Sequence, residues 1–299
     1  NMIKEFISKF LNRLGYKINK IEKPIPNTQI SDIQKIEELL NVKIDINRFN
    51  YVGQCYIFIK NLKEKKNAKF YFSHDFKVEI DNFQFFINSW EEMLILNEIF
   101  IEGIYNISFN EDFTLFDIGL NVGFTSLFFA EKENCINTFS FEPFKRTVDF
   151  ANKNFAINSF SKKINAYNFG LGSVDRTLEI DYNENFKGSM GLNGLANYIQ
   201  DSNDFIKTQL HIKDISKFIE EYKQKKKKKV IAKIDSEGSE YEIFTQLDKN
   251  SQIDTFDFYL IEWHIKGPLE IINILKKYNY KILSFNEKSE SIGMLYAFK

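Results

Sequence analysis

The chain has 299 residues, 43% of them hydrophobic and 16% aromatic, so it can bury a substantial core as one large domain with a smaller one attached. Its formal net charge is −1, so no overall electrostatic field attracts the protein to nucleic acid or to an anionic membrane. The two cysteines, Cys55 and Cys135, lie far apart and only three histidines are present. We therefore expect reduced, packed thiols and no structural zinc site.

The composition also bears on the compartment. Lysine, asparagine, isoleucine and phenylalanine abound, which is typical of an AT-rich, bacterial genome. No apolar run approaches ~18 residues, so no transmembrane helix is expected. The first residues lack the pattern of a signal peptide. These features predict a cytoplasmic protein.

Residues 1–88 predict a region of helices and short strands that serves acceptor binding or oligomer contacts. Apolar residues recur at helical spacing from Ile3 to Leu14, which predicts an amphipathic helix. The sequence leaves three partners open for this helix: its own domain, a membrane surface or another subunit. Residues 28–42 predict a second helix, and the pattern from 51 to 88 is strand-like in YVGQCYIFI, AKFYF and KVEIDNFQFFI.

Residues 89–299 begin with a helix and then alternate strands and helices. The tract SWEEMLILNEIF predicts a helix from 89 to 100, with Ser89 and Glu92 as a capping box. Strands are predicted at 113–118, 137–142, 164–169, 230–234, 256–262, 279–285 and 292–298, and helices at 123–133, 145–157, 214–223, 239–247 and 268–277. Such alternation predicts a parallel α/β sheet with helices on both faces. The short polar turn NEKSES between the last two strands predicts an antiparallel hairpin at the sheet edge.

The segment LFDIGLNVGFTS (115–126) is an apolar strand that runs into a glycine-rich turn and then a helix. Gly119 and Gly123 let the backbone turn sharply and let a ligand approach without a Cβ in the way. Asn121 stands where a dinucleotide fingerprint has its second glycine, and no Gly-Lys-Ser/Thr follows, so neither a dinucleotide fold nor a P-loop fits. Asp117 offers a carboxylate at the strand end. The loop therefore suits a nucleoside ligand without a pyrophosphate.

The next predicted strand ends in FSFEP, with Glu142 at its tip. A carboxylate in this position can accept hydrogen bonds from both hydroxyls of a ribose. Because the glycine-rich turn and this glutamate belong to one βαβ unit, they predict an adenosyl ligand together.

Three motifs carry a resemblance to a known family: FDIGLNVGFTS, FEP at 141–143 and KIDSEGSE at 233–240. They resemble class I S-adenosylmethionine-dependent methyltransferases of the FkbM family, over residues 90–299. The strand LIEWH and the segment HIKDIS are also similar to the family, whereas Leu120 replaces its usual small alanine. The resemblance implies a Rossmann-like, seven-stranded sheet closed by an antiparallel hairpin, and S-adenosylmethionine as the cofactor.

The resemblance also implies which residues hold that cofactor. The glycine-rich turn would line its methionine and ribose, Glu142 would hold the ribose diol, and Phe144 would lie near the adenine. The loop after the third strand would add two contacts to the ring. The full implied set is Asp117, Gly119, Asn121, Gly123, Glu142, Phe144, Gly170, Leu171 and Asp235.

The stretch KIDSEGSEYE holds four carboxylates behind a run of lysines at 225–229, which is predicted to be solvated chain. Asp235 and Glu237 directly follow a strand, at the rim where ligands bind in open α/β sheets, so they are predicted to belong to the site. Glu240 and Glu242 are predicted to start the following helix, where negative charge suits the helix dipole. Ser239 and Glu242 have the spacing of a capping box.

His264 ends the next strand on the same rim and is predicted to act as a general base or to orient the substrate. The predicted catalytic set is Asp235, Glu237 and His264. A divalent cation such as Mg²⁺ held by these three residues is an alternative that the sequence does not favour.

The family's members mostly methylate hydroxyls of sugars, polyketides and related small metabolites. The resemblance therefore implies an O-methyltransferase that acts on a sugar, a sugar nucleotide or a surface-polysaccharide unit. The alternatives are a nucleic-acid or protein N-methyltransferase and a non-catalytic cofactor-binding protein. An N-P-P-Y motif for exocyclic amines is impossible, because none of the four prolines are adjacent.

We expect a saccharide or other small-molecule partner and no nucleic acid, with a homo-oligomer left open. The lysine run is short and has no aromatic interleaving for base stacking. Acceptor specificity is expected in residues 1–88 and in a glycine-containing lid at 183–203.

Overall fold

The structure is a computed structural model that describes residues 27–182, 206–223, 228–289 and 292–299. The predicted helix at 3–14, the predicted lid at 183–203 and most of the lysine run lie outside the described residues. Within the described ranges, no helix has both the length and the apolar character that a membrane crossing requires.

The chain divides into two compact units. The first contains the described residues up to Asn106 together with Lys153–Asn158, and the second contains Ile107–Asn152 and Ser159–Lys299. The sequence-based boundary at 88/89 and the role assigned to residues 1–88 stay predictions.

The first unit opens with helices α1 (Asn27–Leu40) and α2 (Tyr56–Lys66), with a 3₁₀ turn at Asn50–Cys55 before α2. The prediction of a strand in YVGQCYIFI, residues 51–59, is wrong. The buried apolar side chains follow helical spacing instead: Val52, Cys55, Phe58, Ile59 and Leu62. This spacing becomes visible only when the polar residues that continue the helix are included, since the aromatic and β-branched run alone resembles a strand.

A three-stranded antiparallel sheet follows in the first unit, as the sequence predicts. Its strands are β1 (Lys69–Phe72), β2 (Phe76–Ile80) and β3 (Phe83–Ile87), in that order across the sheet. Buried and half-buried residues alternate along β2 and β3, so this sheet has one fully covered face.

Helix α3 (Trp90–Asn97) begins at the predicted cap. The Ser89 side chain accepts the amide of Glu92, and the Glu92 carboxylate accepts the amide of Asn88 at 2.6 Å. The capping box is therefore confirmed, with its reciprocal bond one residue earlier than the standard pattern.

The remaining chain adds ten strands and five helices to the described structure. The strands are β4 (Phe113–Ile118), β5 (Cys135–Phe141), β6 (Ile164–Tyr167), β7 (Gly170–Gly172), β8 (Arg176–Tyr182), β9 (Ile206–Asp214), β10 (Lys229–Ile234), β11 (Phe258–His264), β12 (Lys281–Ser289) and β13 (Ile292–Phe298). The helices are α4 (Phe124–Ala130), α5 (Lys145–Ala156), α6 (Ile215–Lys223), α7 (Glu240–Lys249) and α8 (Leu269–Lys277).

Seven of these strands form one mixed sheet in the order β12-β13-β11-β10-β4-β5-β6. The five strands from β11 to β6 are parallel, whereas β13 is antiparallel to both β11 and β12. This is the predicted Rossmann-like sheet with its antiparallel C-terminal hairpin at the edge. Every residue of β4 and all but the first of β10 are buried, so both faces of the sheet centre are covered.

A second sheet of three strands, in the order β7-β9-β8, was not predicted from the sequence. Its longest strand, β9, contains the segment HIKDIS only in part, and its side chains alternate, with Leu210 and Ile212 buried between exposed neighbours. The period-two signal was thus present, but it was not recognised as a strand.

Candidate active site

The carboxyl ends of β4, β5, β10 and β11 meet at one edge of the large sheet. Asp117 on β4 is paired in register with Lys233 on β10, and the Asp235 amide donates to the Ile118 carbonyl at 3.0 Å. His264 is the last residue of β11, as predicted. The loops that follow these strands form the rim on which the predicted residues lie.

The glycine-rich turn after β4 depends on three left-handed residues at alternate positions. The φ angles are 88° at Gly119, 50° at Asn121 and 87° at Gly123. A Cβ on Gly119 would lie 1.7 Å from the backbone oxygen of Asp235, so only glycine fits there. The turn after β4 is therefore packed directly against the loop after β10.

Glu142, at the end of β5, is buried and tied to this turn. Its carboxylate accepts the Asn121 amide at 3.0 Å and the Phe144 amide at 3.0 Å. Burial raises the pKa of Glu142 to about 7, although both amide hydrogen bonds act to lower it. The carboxylate is thus held in one orientation by its backbone partners.

The two residues predicted from the loop after β6 lie in different surroundings. A Cβ on Gly170 would meet Ile212 at 2.8 Å and Pro143 at 3.4 Å, so this glycine lies beside the FEP motif. Leu171 is buried in the hydrophobic core of the sheet. Its side chain therefore packs in the core, and its backbone is part of β7, which pairs with β9.

Lys233 joins the two loops, a role that was not predicted from the sequence. Its side chain is 3% exposed, and its Nζ donates to the Gly119 carbonyl at 2.6 Å. The same atom lies 3.3 Å from Asp117 Oδ1 and 3.3 Å from Asp235 Oδ2. Burial opposes its charge, but the two carboxylates outweigh burial and raise the pKa of Lys233, so it stays protonated. The available signal was one lysine inside the apolar strand VIAKI.

Asp117 is fully buried between Ser126 of α4 and Lys233 of β10. The Ser126 hydroxyl donates to Asp117 Oδ2 at 2.5 Å and lies 2.7 Å from the Ser140 hydroxyl. Burial raises the pKa of Asp117, and the Lys233 charge opposes that shift.

One side-chain oxygen near the glycine-rich turn, Asn121 Oδ1, is buried and accepts no hydrogen bond from the described residues, whereas Asp117 Oδ1 lies 3.3 Å from Lys233 Nζ. Buried polar atoms are normally satisfied in folded proteins, so Asn121 Oδ1 marks a place for a hydrogen-bond donor from a ligand.

The loop after β10 is held by Glu240 rather than by a capping box. Glu240 is the first residue of α7, as predicted, but it is fully buried. Its carboxylate accepts the Ser236 amide at 2.8 Å and the Gly238 amide at 2.9 Å. Glu237, between these two amides, has a φ of 52°. The buried carboxylate thus fixes the turn that presents Glu237 at the rim.

The predicted capping box of Ser239 and Glu242 is wrong. Ser239 makes no side-chain cap, and its hydroxyl has no hydrogen-bond partner among the described residues. The Glu242 carboxylate accepts Arg176 Nη2 at 2.6 Å and the Ser173 hydroxyl at 3.1 Å. Glu242 bonds to these partners instead of the helix start because the arginine offers a stronger, charge-assisted bond.

His264 is buried among carboxylates. Its Nδ1 bonds to Glu240 Oε1 at 3.1 Å, and its Nε2 lies 3.8 Å from Glu237 Oε2. The Tyr241 hydroxyl donates to the His264 carbonyl and fixes the strand end. Burial acts to lower the pKa of His264, but Glu237 and Glu240 raise it well above its ordinary value. Burial raises the pKa of Glu237 to about 8 and that of Glu262 to about 7.

The structure therefore brings the three predicted catalytic side chains together. One polar atom from each of Asp235, Glu237 and His264 lies within 4.8 Å of the others. Chemically, this group can accept hydrogen bonds, take up a proton or coordinate a cation.

The sheet order and the glycine-rich turn define a class I methyltransferase fold. The sequence model of the Methyltransferase FkbM domain matches residues 117–282. The chain belongs to the FkbM methyltransferase family, and its class of reaction is methyl transfer.

Known methyltransferases are similar to parts of this chain. The methyltransferase sdnD of Sordaria araneosa is 25% identical over 223 residues, which cover 64% of this chain and 86% of the relative. The crystal structure of methyltransferase FkbM from Methylobacillus flagellatus is 13% identical, with a TM-score of 0.45, and covers 68% of this chain. This chain spans about half, 47%, of the length of that protein.

TrmK of M. capricolum, solved with S-adenosylhomocysteine, is 11% identical, covers 66% of each chain and has a TM-score of 0.37. These two structural likenesses are weak, so family membership rests on the match to the domain sequence model.

Proposed function

We propose that the chain is an S-adenosylmethionine-dependent O-methyltransferase that acts on a hydroxyl of a sugar, a sugar nucleotide or a surface-polysaccharide unit. The observation that carries this proposal is the group of Asp235, Glu237 and His264 beside the glycine-rich turn. A hydroxyl that accepts a methyl group must be oriented and must lose one proton, so it needs polar acceptors at the point of transfer.

The residues of the glycine-rich turn fit the cofactor. Asn121 Oδ1 lacks a hydrogen-bond donor among the described residues and can accept from an ammonium group. Glu142 can accept from the ribose hydroxyls, because each of its oxygens has a further lone pair beyond its amide bond. When bound, the cofactor supplies a methyl group on a sulfonium.

The charge of the rim favours a hydroxyl acceptor over a nucleic acid. Asp235, Glu237 and Glu262 are half-buried at the carboxyl ends of β10 and β11, and Glu240 is buried behind them. Proteins that bind a phosphodiester backbone hold it with lysine and arginine side chains, whereas these four side chains are all acidic. Carboxylates are, in contrast, good hydrogen-bond acceptors for the several hydroxyls of a saccharide.

The proposal is tested by incubation of the protein with methyl-labelled S-adenosylmethionine and a panel of sugar nucleotides, glycans, RNA and basic peptides. We expect label on the saccharides alone, and we expect Glu237→Gln to remove it. Label on RNA or on peptide would contradict the acceptor class. A protein that does not bind the cofactor at all would contradict the whole proposal.

Cofactor affinity should depend on the ionisation of Glu142. Because only the carboxylate form can accept from both ribose hydroxyls, and its pKa is raised to about 7, the affinity should rise about tenfold between about pH 6 and 8. Calorimetric titration of S-adenosylmethionine at several pH values measures this. Glu142→Gln should bind more weakly and lose the dependence, and an equal pH dependence in that variant would refute the assignment.

A further inference from the structure

The side chains of Asp235, Glu237 and His264 lie close enough together to share one bound ion. We infer that they bind a divalent cation of the Mn²⁺ or Mg²⁺ class at the rim of the sheet. The location of this cation is independent of the acceptor, whereas its use to hold the acceptor oxygen rests on the proposed function.

The separation of the candidate ligand atoms fits one ion. Ligand atoms that share a cation at about 2.1 Å lie about 3.0–4.2 Å apart. His264 Nε2 and Glu237 Oε2 are 3.8 Å apart, within this range. All three candidate atoms lie within 4.8 Å of one another, so a shift of a few tenths of an ångström completes the set.

Two of these atoms lack the partners that buried polar atoms normally have. Glu237 Oε2 is buried and accepts no hydrogen bond from the described residues. His264 has a side chain only 4% exposed, and the sole hydrogen bond of its ring within the described chain uses Nδ1. Both atoms face each other across a gap that is too long for a hydrogen bond and suitable for an ion between them.

Glu240 prepares His264 as a ligand. Its fully buried carboxylate accepts from Nδ1, so Nε2 is the ring nitrogen that faces Glu237 and that gives up its proton when a cation binds. Histidines that bind metals usually donate their other nitrogen to a carboxylate or carbonyl in this way. The arrangement therefore has both the ligands and the support that orients one of them.

The buried carboxylates around His264 also favour a bound cation. Lys233 is the buried ammonium of the site, and it is already shared between Asp117, Asp235 and the Gly119 carbonyl. Glu237 and Glu240 both lie against one imidazole, which can neutralise only one carboxylate. Buried carboxylates are stable when they are paired or coordinate a metal.

The ligand set indicates the type of ion. Two carboxylates suit Mg²⁺ and Mn²⁺, and one imidazole is compatible with first-row divalent ions such as Mn²⁺. Three protein ligands leave positions of an octahedral shell open to oxygen atoms of the acceptor.

Electron paramagnetic resonance of Mn²⁺ added to the intact chain measures this site without any acceptor. We expect one bound Mn²⁺ per chain, displaced by excess Mg²⁺. Glu237→Gln and His264→Gln should each weaken binding about 100-fold, and Glu240→Gln about 10-fold. Glu179→Gln, an exposed carboxylate on β8, is the matched control and should bind normally. Circular dichroism checks that each variant is folded.

The possible outcomes distinguish failure of the cation site from failure of the proposed function. The inference is overturned if the wild-type protein binds no Mn²⁺, or if the folded Glu237→Gln variant binds it as well as Glu179→Gln does. Methyl transfer to a saccharide at full rate after removal of metals would also overturn the role of the cation, while the O-methyltransferase proposal would stand. Mn²⁺ binding without transfer to any hydroxyl would support the site and contradict the proposed function.

Discussion

Lys233→Met is expected to lower the free energy of unfolding by about 3–5 kcal/mol and to abolish binding of S-adenosylmethionine. The substitution leaves the fully buried Asp117 without its ammonium partner and removes the bond to the Gly119 carbonyl. Loss of that bond frees the glycine-rich turn from the loop after β10. Chemical denaturation and calorimetric titration with the cofactor measure the two effects.

The same strand provides the control for this prediction. Lys229, the first residue of β10, is 44% exposed and 3.6 Å from Asp257, so Lys229→Met should cost less than about 1 kcal/mol, as expected for a surface ion pair. The double variant Lys233→Met with Asp117→Asn should regain part of the lost stability, because the uncompensated charge is removed. A Lys233→Met protein as stable as Lys229→Met would show that the buried charges are not coupled.

Glu237→Gln is expected to reduce kcat by about 10²–10⁴-fold while the affinity for S-adenosylmethionine changes little. Its carboxylate faces His264 at the rim, whereas the cofactor contacts are expected around Asp117, Asn121 and Glu142. The change preserves shape and removes the group that can take up a proton, so it separates chemistry from binding. Single-turnover kinetics and equilibrium binding of the cofactor are the two measurements.

Glu242→Gln is the matched control for Glu237→Gln. It makes the same chemical change further along the same segment, but its carboxylate bonds to Arg176 and Ser173 instead of facing the rim. We expect kcat to stay within a few-fold of the wild-type value. Equal losses of kcat in both variants would indicate a general disturbance of α7 and would remove the special role of Glu237.

The sheet could be predicted from the sequence because its signals are local. The prediction for β4 agrees at both ends, 113 and 118, since a continuous apolar run that leads into a glycine-rich turn is typical of a buried parallel strand. The polar turn between the last two strands likewise predicted the hairpin of β12 and β13. The helix at Tyr56–Lys66 was missed because its aromatic and β-branched residues favour strands when read without their polar continuation.

The site could be predicted only in part, because some of its residues act through partners that are distant in sequence. Asp235, Glu237 and His264 follow or end strands directly, which made their common rim predictable. The bond of Glu240 to His264 spans 24 residues, and that of Lys233 to the Gly119 carbonyl spans 114. Neither has a local pattern, since a glutamate at a helix start and a lysine in a strand are each common for other reasons.

The position of the transferred methyl group tests the proposed O-methyltransferase most directly. The protein is incubated with S-adenosylmethionine that carries a ¹³C-methyl group and with the best acceptor of the panel, and the product is examined by NMR. We expect a methyl ether on a hydroxyl oxygen of a saccharide in the wild-type reaction and none in the Glu237→Gln reaction. A methyl group on nitrogen, or a methyl ether formed equally well by Glu237→Gln, would contradict it.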